Sequence, residues 1–190
     1  SLLHVTGVLP SISESCCALT EKAFSIAKNL GIPVSFDPNY RTQLWSRWPS
    51  GSDSRILERF MNECDILLAG DQDLEYLYKD KFDEKFNELK NSFHDRVFVF
   101  KRGAEGAICY VEGEEINMPA VKTVAIDAVG AGDGFDAGFI HGYLNGWPFA
   151  HCMRLAAEIG ARAVAVVGDY SGYPRLEDIY HLIPGIEGGP

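Results

Sequence analysis

Short apolar runs alternate with longer segments of helical periodicity along most of this chain, and that alternation limits the fold more than any single residue does. Leu2–Thr6, Val34–Asp37, Asp65–Ala69 and Arg96–Lys101 read as strands. Between them, Ser13–Leu30 carries Ala23, Phe24, Ala27 and Leu30 at helix spacing and is stopped by Gly31. A helix capped by Ser52 or Asp53 carries Ile56, Leu57, Phe60 and Met61. Two polar helices, Asp73–Tyr78 and Asp83–Ser92, follow. Ala107–Val111 and Ile116–Val121 form a hairpin-like pair around Glu112-Gly113-Glu114. Helices Gly132–Asn145, Ala150–Val166 and Leu176–Leu182 come last, and the Gly/Pro-rich residues Pro184–Pro190 read as a flexible tail. Strand–helix alternation implies an α/β domain with a largely parallel sheet. Such sheets bind ligands beyond the carboxyl ends of their strands. Asn39–Arg41, Gly70–Asp73, Lys101–Gly106 and Gly130–Asp133 each follow a strand, so they can converge on one edge.

Composition removes several function classes. The 190 residues suffice for one domain, and the net charge of −10, from 27 acidic and 17 basic residues, argues against nucleic acid or an anionic membrane as main partner. No apolar run approaches the length of a membrane span. The five cysteines are odd in number and contain no C-x-x-C pair, which reads as reduced thiols in a cytosolic protein. The histidines lack H-x-x-x-H and H-E-x-x-H spacing, which points away from structural zinc and from a histidine triad. The G-x-x-x-x-G-K-[ST] loop, an early G-x-G-x-x-G and the protein-kinase H-R-D and D-F-G motifs are all missing.

What remains is Asp127-Ala128-Val129-Gly130-Ala131-Gly132-Asp133-Gly134-Phe135. Gly130, Ala131 and Gly132 leave backbone N–H groups uncovered at a helix start, where the helix dipole helps them bind an anion. Asp133 falls in the first turn, beside the place such an anion would take. As a plain helix-terminal acid it would contribute roughly 0.3–1 kcal/mol. Donors for a transferred phosphoryl group, next to a carboxylate able to take a hydroxyl proton, are what a small-molecule kinase requires.

The stretch resembles the C-terminal signature of the ribokinase-like (PfkB) family of carbohydrate kinases, approximately D-T-x-G-A-G-D-x-F-x-A-G-F. Asp127, Gly130, Ala131, Gly132, Asp133, Phe135, Ala137, Gly138 and Phe139 are in register. Ala128 stands where the family usually has Thr. Val97–Ala107 is similar to the family's strand and nucleotide-facing turn. Phe36-Asp37-Pro38-Asn39-Tyr40-Arg41 with Leu44-Trp45 is similar to the D-x-N-Y-R-x-x-L-W segment of 2-keto-3-deoxygluconate kinases, and Val167-Gly168-Asp169 to that subgroup's late Gly-Asp. The resemblance implies a ribokinase-like three-layer α/β sandwich and ATP as phosphoryl donor. It also implies magnesium, a monovalent cation in many members, and a parent that is a homodimer or higher homo-oligomer. Members are considerably longer, so residues 1–183 are expected to be the C-terminal part of such a domain, without the first half of the sheet and the lid.

The implied roles are specific. Asp133 is the general base, with Gly130, Ala131 and Gly132 stabilising the transferred group. Lys101, Arg102, Gly103, Ala104, Glu105 and Gly106 face ATP, with the two glycines allowing close backbone approach. Asn39, Tyr40, Arg41 and Asp169 face the sugar, Arg41 pairing with the carboxylate of a sugar acid through its planar fork. Asn39 and Tyr40 can instead orient the loop, Arg41 can hold its own loop, Asp37 can cap the Pro38 turn, and Asp169 can be a turn residue. Asp73, in place of the family's N-x-x-E glutamate, would reach magnesium through water. Gly138 and Gly142 are explained by close helix packing. The expected acceptor is 2-keto-3-deoxygluconate or a similar sugar acid. Fructose, ribose and 5-dehydro-2-deoxygluconate stay open, as does a non-catalytic nucleotide- or sugar-binding relative.

Overall fold

Apolar runs without alternation become strands buried on both faces, and three such runs supply the strands Val34–Asp37, Ile66–Gly70 and Val97–Lys101 of a six-stranded sheet. A computed structural model describes residues 1–178. Its strands are β1 (Leu3–Thr6), β2 (Val34–Asp37), β3 (Ile66–Gly70), β4 (Val97–Lys101), β5 (Ala107–Val111) and β6 (Glu114–Met118), in one six-stranded sheet ordered β1-β2-β3-β4-β5-β6. β1 and β2 pair in parallel with Leu3 opposite Val34, and β2 pairs in parallel with β3. The helices are α1 (Val8–Ile12), α2 (Glu14–Asn29), α3 (Thr42–Trp45), α4 (Ser52–Glu63), α5 (Asp71–Tyr78), α6 (Phe82–Ser92), α7 (Ala131–Leu144) and α8 (Phe149–Ala163). The chain forms two compact units, Ser1–Phe100 with Tyr110–Glu115, and Lys101–Cys109 with the chain from Ile116 onward.

In the first unit every residue of β2 is buried, as are four of the five residues of β3 and of β4. Burial of this kind needs helices over the sheet. Phe24 of α2, Phe36 of β2 and Phe60 of α4 form one cluster with ring centroids 5.0–6.0 Å apart. Phe86 of α6 joins Phe98 and Phe100 of β4 and Tyr110 of β5 in another. Ser13 caps α2 by accepting the N–H of Cys16 at 3.1 Å, and Gly31, at φ 64°, ends it.

Several boundaries differ from the sequence expectation, and those around α4, the β5–β6 turn and β6 differ for a local reason. Gly51, in the left-handed region at φ 76°, is the N-cap of α4, so Ser52 and Asp53 lie inside the helix and do not cap it. The β5–β6 turn uses only Glu112 and Gly113, at φ 52° and 79°. Two left-handed residues match the twist of a tight hairpin, so Glu114 is already strand. β6 then stops at Met118 rather than Val121, because Pro119 has no N–H to pair. Gly130 consequently follows an irregular stretch rather than a strand.

In the second unit α7 packs on α8 through its glycines. A Cβ on Gly138 would lie 2.8 Å from the Ala156 Cα, and one on Gly142 2.8 Å from the Cys152 Sγ, so the close-packing reading of both positions holds. α8 ends at Ala163, three residues before its expected end, and the Val164 carbonyl just beyond it accepts the N–H groups of Ile126 (2.7 Å) and Asp127 (3.2 Å). Residues Leu176–Asp178 make a 3-10 turn; the rest of the helix expected to Leu182, and the tail Pro184–Pro190, lie outside the described residues. All five cysteines are free thiols. Burial pushes the Cys109 thiol up to about 12 and Cys152 up to about 11, so neither is a ready nucleophile. No helix among the described residues is long and apolar enough to cross a membrane.

Candidate active site

The start of α7 depends on one residue that only glycine can be. Gly130 sits at φ 76°, and a Cβ there would fall 1.8 Å from the carbonyl oxygen of Asp169. Its own carbonyl accepts the Gly134 N–H at 2.9 Å, opening the helix, while the Ala131 N–H turns back to Ala128 at 3.3 Å. An N-cap without a side chain leaves the first-turn amides uncovered. Gly132 and Asp133 are exposed at this end.

Residues 164–173 are fastened against that turn. The Asp127 carboxylate accepts the N–H of Val129 at 3.1 Å and that of Gly168 at 3.3 Å. This places Asp169 next to Gly130, with its Oδ1 3.0 Å from the position of a Gly130 Cβ. Tyr173 donates its hydroxyl to the Gly130 carbonyl at 2.6 Å, and its ring covers Gly134, where a Cβ would meet it at 2.8 Å. Burial, followed by the charges of Asp133, Asp169 and Asp136, raises the Tyr173 phenol, so it stays a neutral donor.

The turn after β4 is more divided. Lys101 sends its Nζ 2.9 Å from the Asp136 Oδ1, close to the first turn of α7; a Cβ on Gly132 would be 3.9 Å from that nitrogen. Arg102 folds back instead, with Nη2 3.4 Å from the Glu105 carbonyl and Nη1 3.7 Å from the Glu105 carboxylate. Ala104 lies in the same short 3-10 turn, Gly103–Glu105. Gly103, at φ 52°, has open space around it, whereas a Cβ on Gly106 would strike the Met118 carbonyl at 2.1 Å. The close approach at Gly106 is thus made by the chain's own backbone.

The Asn39–Arg41 loop belongs to the first unit. Asn39 takes φ 39° and donates its N–H to the Asp37 carboxylate at 3.1 Å, so Asp37 caps this turn as expected. The Tyr40 ring stacks on Tyr76 with centroids 4.2 Å apart, and its hydroxyl donates to Asp53 at 2.9 Å. Tyr40 thus orients the loop. Its phenol is raised well above the usual range, by burial first and by the Asp53 hydrogen bond second. Arg41 is exposed and donates to the Tyr40 carbonyl at 3.0 Å. Asp73 accepts the Tyr40 N–H at 2.8 Å on one oxygen and the Gly70 N–H at 3.3 Å on the other. It ties the loop to the start of α5. Among the described residues no group of three or more His, Cys, Asp or Glu could hold a metal ion.

Two residues of this neighbourhood were not singled out in the sequence. Asp136 carried a usable signal, an acid three residues before the fully buried Phe139 on a largely apolar helix. Tyr173 carried none, since its partner is a carbonyl 43 residues away.

The sequence matches the pfkB family of carbohydrate kinases over residues 1–176. The chain belongs to this family. It is 30% identical over 182 residues to a 2-dehydro-3-deoxygluconokinase of Bacillus subtilis, covering 93% of this chain and 54% of that protein. It is 29% identical over 169 residues to a 2-dehydro-3-deoxygalactonokinase of Haloferax volcanii, covering 87% of this chain and 52% of that protein. The fold superposes with TM-score 0.82 on a fructokinase of Vibrio cholerae with fructose, ADP and calcium bound, at 22% identity, covering 96% of this chain and 60% of that one. The chain spans about half the length of the curated relatives it matches. As a pfkB carbohydrate kinase sequence, it keeps the glycine turn and the first-turn carboxylate together in one unit.

Proposed function

We propose that this chain carries the phosphoryl-transfer part of an ATP-dependent sugar kinase whose acceptor is a sugar acid of the 2-keto-3-deoxygluconate type. The observation that carries the reading is the exposed Asp133 in the first turn of α7, three residues after the left-handed Gly130 and next to Gly132, whose Cβ position lies 3.9 Å from the Lys101 ammonium. The amides of Gly132 and Asp133, at a turn shaped by Gly130 and Ala131, would face charge that grows on the γ-phosphoryl group. Asp133 accepts the proton of the attacking hydroxyl as its oxygen bonds to the γ-phosphorus. The bond from that phosphorus to the β,γ-bridging oxygen breaks, and ADP leaves with the electron pair. Asp169, fixed next to Gly130, is placed to accept a hydrogen bond from a sugar hydroxyl. Magnesium bound with ATP would supply positive charge to the phosphates, and Asp73 would reach it through water.

The sugar-acid assignment rests on Arg41 and on the gluconokinase and galactonokinase relatives. The guanidinium is exposed and donates to its neighbour's carbonyl, so it can turn to a carboxylate. ADP release with Mg-ATP over a panel of 2-keto-3-deoxygluconate, fructose, ribose and 5-dehydro-2-deoxygluconate tests it. Turnover of the first that falls by roughly 10²–10⁴-fold in Asp133→Asn is the expected result. Turnover confined to neutral sugars would remove the role of Arg41; ATP binding with no turnover on any sugar would make the protein a binder.

A further inference from the structure

Asp136 is the most buried carboxylate among the described residues of the second unit, with a side chain 2% exposed, and Lys101, its partner at 2.9 Å, is 12% exposed. A pair this deep loses most of its Coulomb gain to desolvation, and apolar residues of the same shape would serve stability as well or better. The placement of the ammonium is the more informative fact. It lies at the positive end of α7, within 3.9 Å of a Cβ position on Gly132, where a helix dipole disfavours a cation. An anion bound to the same amides would reverse that sign.

We propose that Asp136 is a positioning residue that holds the Lys101 ammonium at the mouth of the α7 N-terminus, where it meets the phosphate chain of a bound nucleotide. The inference rests on the nucleotide reading above and deepens it. A lysine stem has four rotatable carbons and loses much rotamer freedom when fixed. Asp136, one turn beyond Asp133 on the same helix, absorbs that cost before the ligand arrives, as preorganisation requires.

The electrostatic sign makes the test decisive. Asp136→Asn removes a negative charge near the phosphate site, so if charge alone mattered, anions would bind more tightly. Under the positioning role they bind more weakly. Titration calorimetry on the full chain would compare tripolyphosphate, ATP and adenosine in wild type, Asp136→Asn, Lys101→Met and the double variant. The expected result is a roughly tenfold loss for the two phosphate ligands in Asp136→Asn, no loss for adenosine, and no further loss when it is added to Lys101→Met. Unchanged or tighter tripolyphosphate binding by Asp136→Asn overturns the positioning role while leaving the nucleotide reading intact. A wild type that binds neither tripolyphosphate nor ATP overturns both. Should Asp136→Asn fail to fold, acylation of Lys101 in the wild type, read by mass spectrometry, replaces it: protection by tripolyphosphate supports the role, and equal labelling overturns it.

Discussion

Asp133 and Tyr40 show how differently two polar residues of one chain are used. Asp133 is exposed at a helix start and its replacement should remove chemistry, not fold: Asp133→Asn is expected to melt within a few degrees of the wild type while ADP release collapses. Equal losses in both measurements would mark it as structural. Tyr40 is the reverse, a residue whose backbone N–H, ring and hydroxyl all serve the loop. Its phenol titrates higher in the folded chain than in the unfolded one. The unfolded state therefore loses this proton first as pH rises, near the ordinary tyrosine value of about 10. The contribution is fully present below that pH and is lost as pH rises toward the folded value. Urea unfolding at pH 9 and pH 11 should show stability falling, and Tyr40→Phe should fall less; an identical decline in the variant would remove Tyr40 as the cause.

At the scale of elements, the second unit is organised by glycine. Gly130 starts α7, Gly134 receives Tyr173, and Gly138 and Gly142 admit α8. Gly138→Ala poses a contest of magnitudes. Alanine gains up to about 1 kcal/mol in helix propensity. Its Cβ, however, would stand 2.8 Å from the Ala156 Cα and 3.0 Å from the Ala156 N, backbone atoms that cannot step aside cheaply. Overpacking of this kind costs roughly 1–3 kcal/mol, so net destabilisation is expected. A urea midpoint equal to or above that of the wild type would contradict it.

For the whole molecule, a ligand that binds only the folded state should raise stability by mass action. About 2.7 kcal/mol is expected at a hundredfold excess of ATP over its dissociation constant. Thermal melting with ATP, and hydrogen exchange concentrated at Gly130–Asp133 and at Lys101, would show it. No shift of the melting midpoint at saturating ATP would withdraw the nucleotide site. The net charge of −10 makes the local cation the more necessary, because an anionic ligand approaches an anionic protein.

The alternation of apolar runs and helical stretches was enough to determine an α/β chain with parallel strands, since a strand buried on both faces must be covered by helices. The spacing of Gly130, Gly132 and Asp133 likewise announced a glycine-led helix start with a carboxylate in its first turn, because a helix terminus is a local property. Asp37 capping the Pro38 turn and the small-residue face of α7 were legible for the same reason. Long-range partners were not. That Asp73 ties down Tyr40, that Asp53 takes a phenol instead of a helix cap, that Gly106 makes room for Met118, and that Asp136 and Tyr173 brace the first turn of α7 all depend on groups 12 to 43 residues apart. A carboxylate can satisfy a backbone amide, a hydroxyl or an ammonium equally well, so its sequence neighbours leave the choice open and only the folded chain makes it.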